Sequence, residues 1–544
     1  MKTYVIGIDY GTLSARCLLV DASLGEEICE SVYNYPHGVM DKNLPSGEEL
    51  PIDYALQDPE DYIGVLKVAV PELIKKAKIL PEEIKGVGID FTSCTMLPVD
   101  KNGIPLSSKE EFRNNRHAYV KLWKHHAAGK EAEEITSLAY KRGEKWLADY
   151  GGNISCEWAL PKILEILREA PEIYSAAYRF VEAADWISLM LTGRETHSLP
   201  FAGYKWLYSE ERGFPSNDFL TALDSRLDGI IGTKISKEVL ALGNIAGYID
   251  ERGSALTSIP VGTPVALPMI DAHSAMPALG ITGGGDLMLI LGTSSCQLLN
   301  SAVRKNVKGI CGYVKDGVIP GLYTYEAGQP SVGDIFDWFV KNSIPASYTA
   351  EAEKKGVNIH KLLREKAMKL SPGESGLIAL DWWNGNRSVL GDPGLSGMIL
   401  GLTLTTRPEH IYRALIEATA FGFKRIVKQY ESDGITIERI YAAGGIAQKD
   451  EMMMQIYSDV IGKDIHISAT SQAAALGSAI YASVAAGIYT DVQSASKKLS
   501  GPSIKTYKPK KESTEVYKAL YEEYERLYDY FGKDNDVMPK LKKH

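Results

Sequence analysis

The sequence of 544 residues has no apolar run of 18 residues, so no membrane-spanning helix is expected. Its start, MKTYVIGIDYG, lacks the long apolar segment and small-residue cleavage site of a signal peptide, which favours a cytoplasmic location. It also lacks a dense block of lysine and arginine, and its net charge is −9. This balance disfavours binding to nucleic acids or to membrane surfaces.

Cysteine is scarce and metal-binding motifs are missing. The six cysteines form no CxxC pair, and the ten histidines include no HExxH segment, so neither a zinc site nor a disulfide framework is expected. The motifs GxxxxGK[ST] and GxGxxG are absent as well. Their absence disfavours P-loop nucleotide triphosphatases, protein kinases and dinucleotide-binding enzymes.

Two segments predict β-hairpins with an accessible turn. Residues 4–9 and 16–21 have the pattern of two buried strands, and the turn between them contains Gly11-Thr12. Residues 287–299 likewise predict two strands that are joined by a turn at Gly292-Thr293. A helix followed by a buried strand is predicted twice, within residues 60–93 and within residues 408–447. Because both similarities occur in the same order, the sequence predicts two related α/β halves.

The boundary between the halves is predicted at a stretch rich in Pro, Gly and Ala, which gives domains of 1–265 and 266–544. Residues 35–62 are polar and rich in turn residues, and they predict a surface insertion. A helix is predicted over residues 513–531. Its expected apolar stripe consists of Val516, Leu520, Tyr524, Leu527 and Phe531.

The two turns carry groups that suit a phosphate ligand. Each offers backbone amides and a hydroxyl to phosphate oxygens. Asp9 precedes the first turn and could hold Mg²⁺ or its waters, while Arg16 is near enough in sequence to reach a phosphate. If only one of the two turns is considered, the alternative to a phosphate site is an ordinary hairpin turn, in which Asp9 accepts hydrogen bonds from nearby backbone amides.

This pair of hairpins resembles the superfamily of sugar kinases, actin and Hsp70 ATPases. The resemblance implies an α/β fold with two tandem actin-like (ribonuclease H-like) ATPase domains and a cleft between them. Three further segments resemble FGGY carbohydrate kinases, and the resemblance extends over almost the whole chain. They are SCEWALPKIL (155–164), PMIDAHSAMPALG (268–280) and AAGGIAQKDEMMMQIYSDVIG (442–462).

The resemblance implies a set of site residues, with ATP and Mg²⁺ as cofactors. Asp271 would be the catalytic base, although an aspartate at this position could instead cap the following helix. Asp9 would bind the metal ion. The sugar would be bound by Ser93, Lys205, Asp271 and Glu326. The nucleotide would be bound by Gly11, Thr12, Arg16, Gly292, Thr293, Gly333, Asp337, Gly444, Gly445 and Lys449.

Within the family, the chain resembles the branch that acts on L-ribulose. The insertion and the segments FAGYKWLY (201–208) and EAGQPSVGDIFDWF (326–339) support this, whereas Ser93-Cys94 replaces the Arg-Glu pair of glycerol kinases. The resemblance implies ATP-dependent formation of L-ribulose 5-phosphate in L-arabinose catabolism, by a homodimer with small-molecule substrates and no nucleic-acid or membrane partner. The alternatives are a family kinase for D-ribulose, ribitol or xylulose, and an actin- or Hsp70-like ATPase.

Overall fold

The computed structural model describes residues 3–468, 470, 472–501 and 503–542, and the chain divides into two compact units. The first unit consists of Met1–Thr282, Tyr313–Thr324 and Thr470–Gly501. The second consists of Gly283–Gly312, Tyr325–Ala469 and Pro502–His544. The first unit therefore includes Asp271, a short segment from the middle of the chain and a segment from late in the chain. The predicted boundary after residue 265 separates the two related halves of the sequence rather than these two compact units, and it stays a prediction.

A seven-stranded sheet organises the first unit. Its order is Glu26–Asn34, Ser14–Asp21, Tyr4–Tyr10, Ile84–Phe91, Pro264–Ala266 and Ile245–Tyr248, and Met269–Ile270 also pairs with Ile84–Phe91. The first three strands are antiparallel, which confirms the first predicted hairpin. The third and fourth strands are parallel. Because parallel strands end at one edge of a sheet, the residues that follow them lie close together.

An apolar helix from late in the chain, Ala473–Ala485, covers this sheet. It packs on the strands Tyr4–Tyr10 and Ile84–Phe91. A Cβ atom added to Gly7 would lie 1.8 Å from the carbonyl oxygen of residue 475, and one added to Gly88 would lie 1.9 Å from the carbonyl oxygen of residue 478. Backbone therefore packs directly on backbone here, and this contact requires glycine.

The other elements of the first unit surround this sheet. A four-stranded sheet has the order Leu56–Gln57, Val120–Lys121, Met96–Val99 and Arg179–Glu182. The helices are Pro59–Gly64, Val70–Ala77, Gly129–Arg142, Ala159–Glu169, Pro171–Ala176, Ala183–Thr192, Leu199–Lys205, Asn217–Leu223, Ile230–Thr233, Glu251–Thr257, Asp271–Ala278, Ala473–Ala485 and Val492–Leu499. A π-helical turn, Val65–Ala69, joins the first two of these helices and makes them continuous, as the helical periodicity predicts.

The predicted surface insertion over residues 35–62 has a core of its own. Side chains within it are buried against one another, and Tyr119 joins them from a later loop. The buried members from the insertion are Met40, Leu44, Leu50, Tyr54 and Leu56. Most of residues 36–53 are exposed, as expected for a surface insertion, but the small apolar core within it was not predicted. The apolar residues are spaced irregularly, because loops rather than one helix or strand bring them together.

The second unit repeats the strand pattern of the first. Its sheet includes, in order, Tyr323–Gln329, Ser295–Ser301, Asp286–Leu291, Arg439–Ala443, Ile465–Ser468 and Ser503–Tyr507. The second and third strands form the predicted antiparallel hairpin, and the third and fourth are parallel. Further strands of this unit are Ile378–Leu380 and Met398–Leu400, whereas most of the strand Gly312–Lys315 belongs to the first unit. The helices are Gly333–Ser343, Ala346–Lys355, Ile359–Ala367, Pro408–Ser432, Gly445–Lys449, Glu451–Ile461, Lys511–Asp529 and Val537–Lys542.

The C-terminal helix Lys511–Asp529 buries a stripe of tyrosines instead of the predicted mixed stripe. Val516 is 41% exposed, whereas the buried residues are Tyr517, Tyr521, Tyr524 and Tyr528. Two of the hydroxyls donate to buried carboxylates, Tyr517 to Glu417 at 2.9 Å and Tyr524 to Asp381 at 2.9 Å. Tyrosine can occupy such a core because its polar tip finds a partner there.

No helix in the described part of the chain is both long and apolar enough to cross a membrane.

Candidate active site

Three aspartates lie at or directly after the ends of neighbouring parallel strands of the first unit. Asp9 and Asp90 are register partners, and Asp271 directly follows the short strand that pairs with residues 90 and 91. Asp90 is buried, and the Ser478 hydroxyl donates to its Oδ2 at 2.6 Å. Burial and the charge of Asp9 raise the pKa of Asp90 well above its usual value, and burial also raises the pKa of Asp9. Carboxyl groups are thus concentrated at the ends of these strands, and burial together with their mutual repulsion favours the protonated form of Asp90.

Asp90 is missing from the predicted site, although the sequence holds a signal for it. The tripeptide Gly-Ile-Asp occurs at residues 7–9 and again at 88–90. The structure pairs the two copies residue by residue in parallel strands. A repeated strand end of this kind places two carboxyl groups side by side.

Asp271 is the first residue of the helix Asp271–Ala278, and Ile270 occupies the N-cap position. Its Oδ1 accepts a hydrogen bond from the backbone N–H of Ala272 at 2.6 Å. The residue is half-buried. The Asp271 carboxyl group is therefore oriented by the adjacent backbone amide and stays partly accessible.

Two predicted sugar-binding residues, Ser93 and Lys205, belong to the same unit as Asp271. Ser93 follows the strand Ile84–Phe91 by two residues, and its buried Oγ has no hydrogen-bond partner among the described residues. An external hydroxyl group could satisfy this oxygen. Lys205 ends the helix Leu199–Lys205 and is 8% exposed. The ring of its neighbour Tyr204 lies 4.4 Å from that of His273, on the helix that Asp271 begins.

The turn of the first hairpin is tightly hydrogen-bonded. The Gly11 N–H donates to the carbonyl oxygen of Ser14 at 3.1 Å, so this amide is engaged within the turn. The Thr12 hydroxyl accepts from Trp123 Nε1 at 3.1 Å. Arg16 Nη1 lies 3.7 Å from Asp9 Oδ2. Arg16 is 42% exposed in its side chain, so it is the predicted phosphate ligand here with the most freedom to move.

In the second unit, three predicted nucleotide-binding segments come together. The N–H of Gly333 donates to the carbonyl oxygen of Gly292 at 3.0 Å, and the carbonyl oxygen of Thr293 accepts from the N–H of residue 332 at 2.7 Å. Gly444 has a positive φ of 93°, and a Cβ there would lie 2.4 Å from the Leu291 carbonyl oxygen. Gly445 is exposed, and a Cβ there would meet nothing within 4 Å.

The other predicted residues of the second unit lie on three elements. Asp337 is on the helix Gly333–Ser343, and its Oδ1 lies 3.1 Å from His360 Nε2. Lys449 ends the short helix Gly445–Lys449 and is exposed. Glu326 is half-buried in the strand Tyr323–Gln329.

A second cluster of ionisable groups forms a structural network in the first unit. Among the described residues, His117, Glu165 and Glu169 are the one group of three possible ligands whose atoms lie within 4.8 Å of one another. However, Lys121 Nζ lies 3.0 Å from Glu165 Oε2. Although burial alone would raise it, the pKa of Glu165 is lowered by Lys121. The carboxylate is thus already neutralised, which disfavours a cation here.

Family models and relatives match the chain over most of its length. The N-terminal domain of the FGGY family of carbohydrate kinases matches residues 4–276, and the C-terminal domain of that family matches residues 287–486. A ribulokinase from Bacillus licheniformis is 48% identical over 536 residues, covering 98% of this chain and 97% of the relative. A ribulokinase from Geobacillus thermodenitrificans is 48% identical over 547 residues, covering 99% and 97%.

Solved structures share the fold. A xylulose kinase from Rhodospirillum rubrum matches with a TM-score of 0.80 at 22% identity, covering 96% of this chain and 98% of that one. A glycerol kinase from Plasmodium falciparum, solved with ADP, matches with a TM-score of 0.75 at 19% identity, covering 96% and 98%. At these identities, the likeness concerns the α/β fold alone.

Proposed function

The chain belongs to the FGGY family of carbohydrate kinases, and from this we propose that it transfers the γ-phosphoryl group of ATP to the terminal hydroxyl of L-ribulose, with Asp271 as the general base. Two ribulokinases that match nearly the whole chain at 48% identity carry the proposal. We further propose that the reaction serves L-arabinose catabolism. An actin- or Hsp70-like ATPase is no longer an alternative, because both family models describe carbohydrate kinases.

The residues divide the chemistry of phosphoryl transfer into two tasks. Alignment of the sugar hydroxyl and removal of its proton would fall to Ser93, Lys205 and Asp271 in the first unit. Glu326 is a further proposed sugar ligand. Binding of the triphosphate would fall to the Gly292-Thr293 and Gly444-Gly445 turns. This division suits phosphoryl transfer, in which positioning and charge stabilisation supply most of the catalysis.

We propose Mg²⁺ as the metal ion, with Asp9 as its protein ligand. A partly exposed carboxylate beside a second carboxyl group suits a hard cation that prefers oxygen ligands. When bound, the ion would neutralise charge on the phosphates. We also propose that the protein acts as a homodimer in the cytoplasm.

A substrate panel tests the reaction. ADP release would be measured with L-ribulose, D-ribulose, D-xylulose, ribitol and glycerol, and the highest kcat/KM is expected for L-ribulose. Glycerol is expected to react poorly, because Ser93-Cys94 offers no charged pair at this strand end. Sugar-independent ADP release throughout would refute the kinase assignment, and a preference for xylulose would refute the ribulose assignment.

The paired glycines of the second unit test where the nucleotide lies. Gly444→Ala is expected to lower the thermal midpoint, because its Cβ would overlap backbone at a positive φ. Gly445→Ala meets no protein atom within 4 Å, so its thermal midpoint is expected to stay near that of the wild type. If the nucleotide approaches Gly445, this variant raises KM for ATP by about tenfold, or ~1.4 kcal/mol. An unchanged KM for ATP in Gly445→Ala would remove this glycine from the nucleotide site.

A further inference from the structure

One peptide unit beside the proposed sugar site is held by two buried side chains of opposite charge. Lys162 Nζ donates to the carbonyl oxygen of Cys94 at 2.8 Å, and the N–H of Thr95 donates to Glu182 Oε2 at 3.1 Å. The carbonyl and the N–H are the two polar ends of the same peptide bond. Lys162 and Glu182 are 0% and 1% exposed. The orientation of the Cys94–Thr95 peptide plane, one residue after Ser93, is therefore fixed from both edges.

The same carboxylate also holds the second proposed sugar-binding segment. Glu182 Oε1 accepts a hydrogen bond from Trp206 Nε1 at 2.7 Å. Trp206 directly follows Lys205 in the chain and is itself buried. One carboxylate thus connects the segment that carries Ser93 with the segment that carries Lys205, and each of its oxygens serves one of them.

We propose that Glu182 is a positioning residue that sets the placement of Ser93 relative to Lys205 and so determines how tightly the sugar is bound. The inference rests on the proposed function, because it takes Ser93 and Lys205 as the groups that contact the sugar hydroxyls. Glu182 itself acts through Thr95 and Trp206 and does not contact the substrate.

Burying a carboxylate for stability alone would be a poor solution. A buried charge loses its hydration, and well-packed apolar side chains commonly stabilise a core at least as well. A carboxylate, however, can accept from two N–H donors at a fixed separation, which no apolar side chain can do. The arrangement therefore favours a role in geometry.

The charged surroundings of Glu182 give the proposal a pH signature. Burial raises the pKa of Glu182 to about 7, opposed by hydrogen bonds from the Cys94 thiol and Trp206 and by the charge of Lys162. Asp185, one helical turn further on, adds a buried carboxyl group nearby, and its own pKa is raised well above the usual value by burial and by Glu182. When Glu182 takes up a proton, one of its oxygens becomes a donor that faces another donor.

The test compares Glu182→Gln with wild type in the coupled ADP-release assay at several pH values. Glutamine keeps the size of the side chain, but its amide nitrogen must face either Thr95 N–H or Trp206 Nε1. KM for L-ribulose is expected to rise at least about tenfold at pH 8, while KM for ATP stays within about twofold. In wild type, KM for L-ribulose is expected to rise as the pH falls through about 7, and in the variant this dependence disappears.

Two further variants separate positioning from a general loss of stability. Trp206→Phe removes one of the donors to Glu182 and is expected to raise KM for L-ribulose less than Glu182→Gln does. In the double variant, the rise in KM for L-ribulose is expected to be smaller than the two single effects combined. Asp61→Asn is the matched control, since Asp61 is also buried and also accepts from two N–H groups, both of His37. This control is expected to lower the thermal midpoint without changing KM for L-ribulose.

The outcomes distinguish the two levels of the proposal. If Glu182→Gln lowers the thermal midpoint but retains the KM for L-ribulose and its pH dependence, the positioning role is overturned. If wild type itself shows no ribulose-dependent ADP release, the proposed function fails first. A rise in KM for L-ribulose that is confined to Glu182→Gln and Trp206→Phe supports the inference.

Discussion

Replacing Asp271 by asparagine is expected to lower kcat by ~10²–10⁴-fold, the usual contribution of a general base. Asparagine has nearly the same shape, and its amide oxygen can still accept from the N–H of Ala272, as Asp271 Oδ1 does at 2.6 Å. It cannot take a proton from the sugar hydroxyl. Steady-state kinetics would give kcat, and calorimetric titration with L-ribulose is expected to show binding within a few-fold of wild type.

A second aspartate at the start of a helix provides the control for this variant. Asp250 caps the helix Glu251–Thr257 in the same unit, and its Oδ1 accepts from the N–H of Gly253 at 2.7 Å. Asp250→Asn is expected to keep the wild-type kcat. Near wild-type turnover in Asp271→Asn, or equal losses in both variants, would remove Asp271 from its proposed role.

Gly88→Ala is expected to destabilise the first unit by about 3 kcal/mol or more, at the upper end of the usual cost of overpacking a core. The new Cβ would lie 1.9 Å from the carbonyl oxygen of Ser478 in the helix Ala473–Ala485, so strand and helix must move apart. The thermal midpoint, followed by circular dichroism, is expected to fall by roughly 6–12 °C.

Gly129→Ala is the matched control for this change. Gly129 lies in the same unit as the first residue of the helix Gly129–Arg142, and a Cβ there would meet nothing within 4 Å. Its thermal midpoint is expected to stay the same or to rise slightly, since alanine favours the helix. A wild-type midpoint for Gly88→Ala would contradict the close contact between helix and sheet.

Local elements were predictable from the sequence where one pattern determined them. The two hairpins and the long helix and strand after residue 408 are confirmed, because alternating or helical spacing of apolar residues is a local property. The membership of residues 470–501 in the first unit was not predictable in this way. The helix Ala473–Ala485 is apolar on all sides, so its periodicity indicates burial but not the sheet on which it packs.

The site was predictable in part for the same reason. Resemblance supplied Asp271, Ser93 and Lys205, which the structure brings into one unit, and their roles stay predictions. Asp90 and Glu182 were missed. Glu182 is one acidic residue at the end of a short strand, and its two partners are 87 and 24 residues away in sequence. No local pattern marks a carboxylate that joins such distant segments.

The discontinuous first unit has a consequence for the synthesis of the chain on the ribosome. Residues 1–282 emerge long before the helix Ala473–Ala485 that covers their central sheet. At ~5–20 residues per second, roughly 10–40 s separate the two events. During that interval the face of the sheet that carries Gly7 and Gly88 has no covering helix, and a nascent chain in this state exposes an apolar surface to the chaperones of the cell. Folding of the first unit can thus be completed only after residues 470–501 have been synthesised.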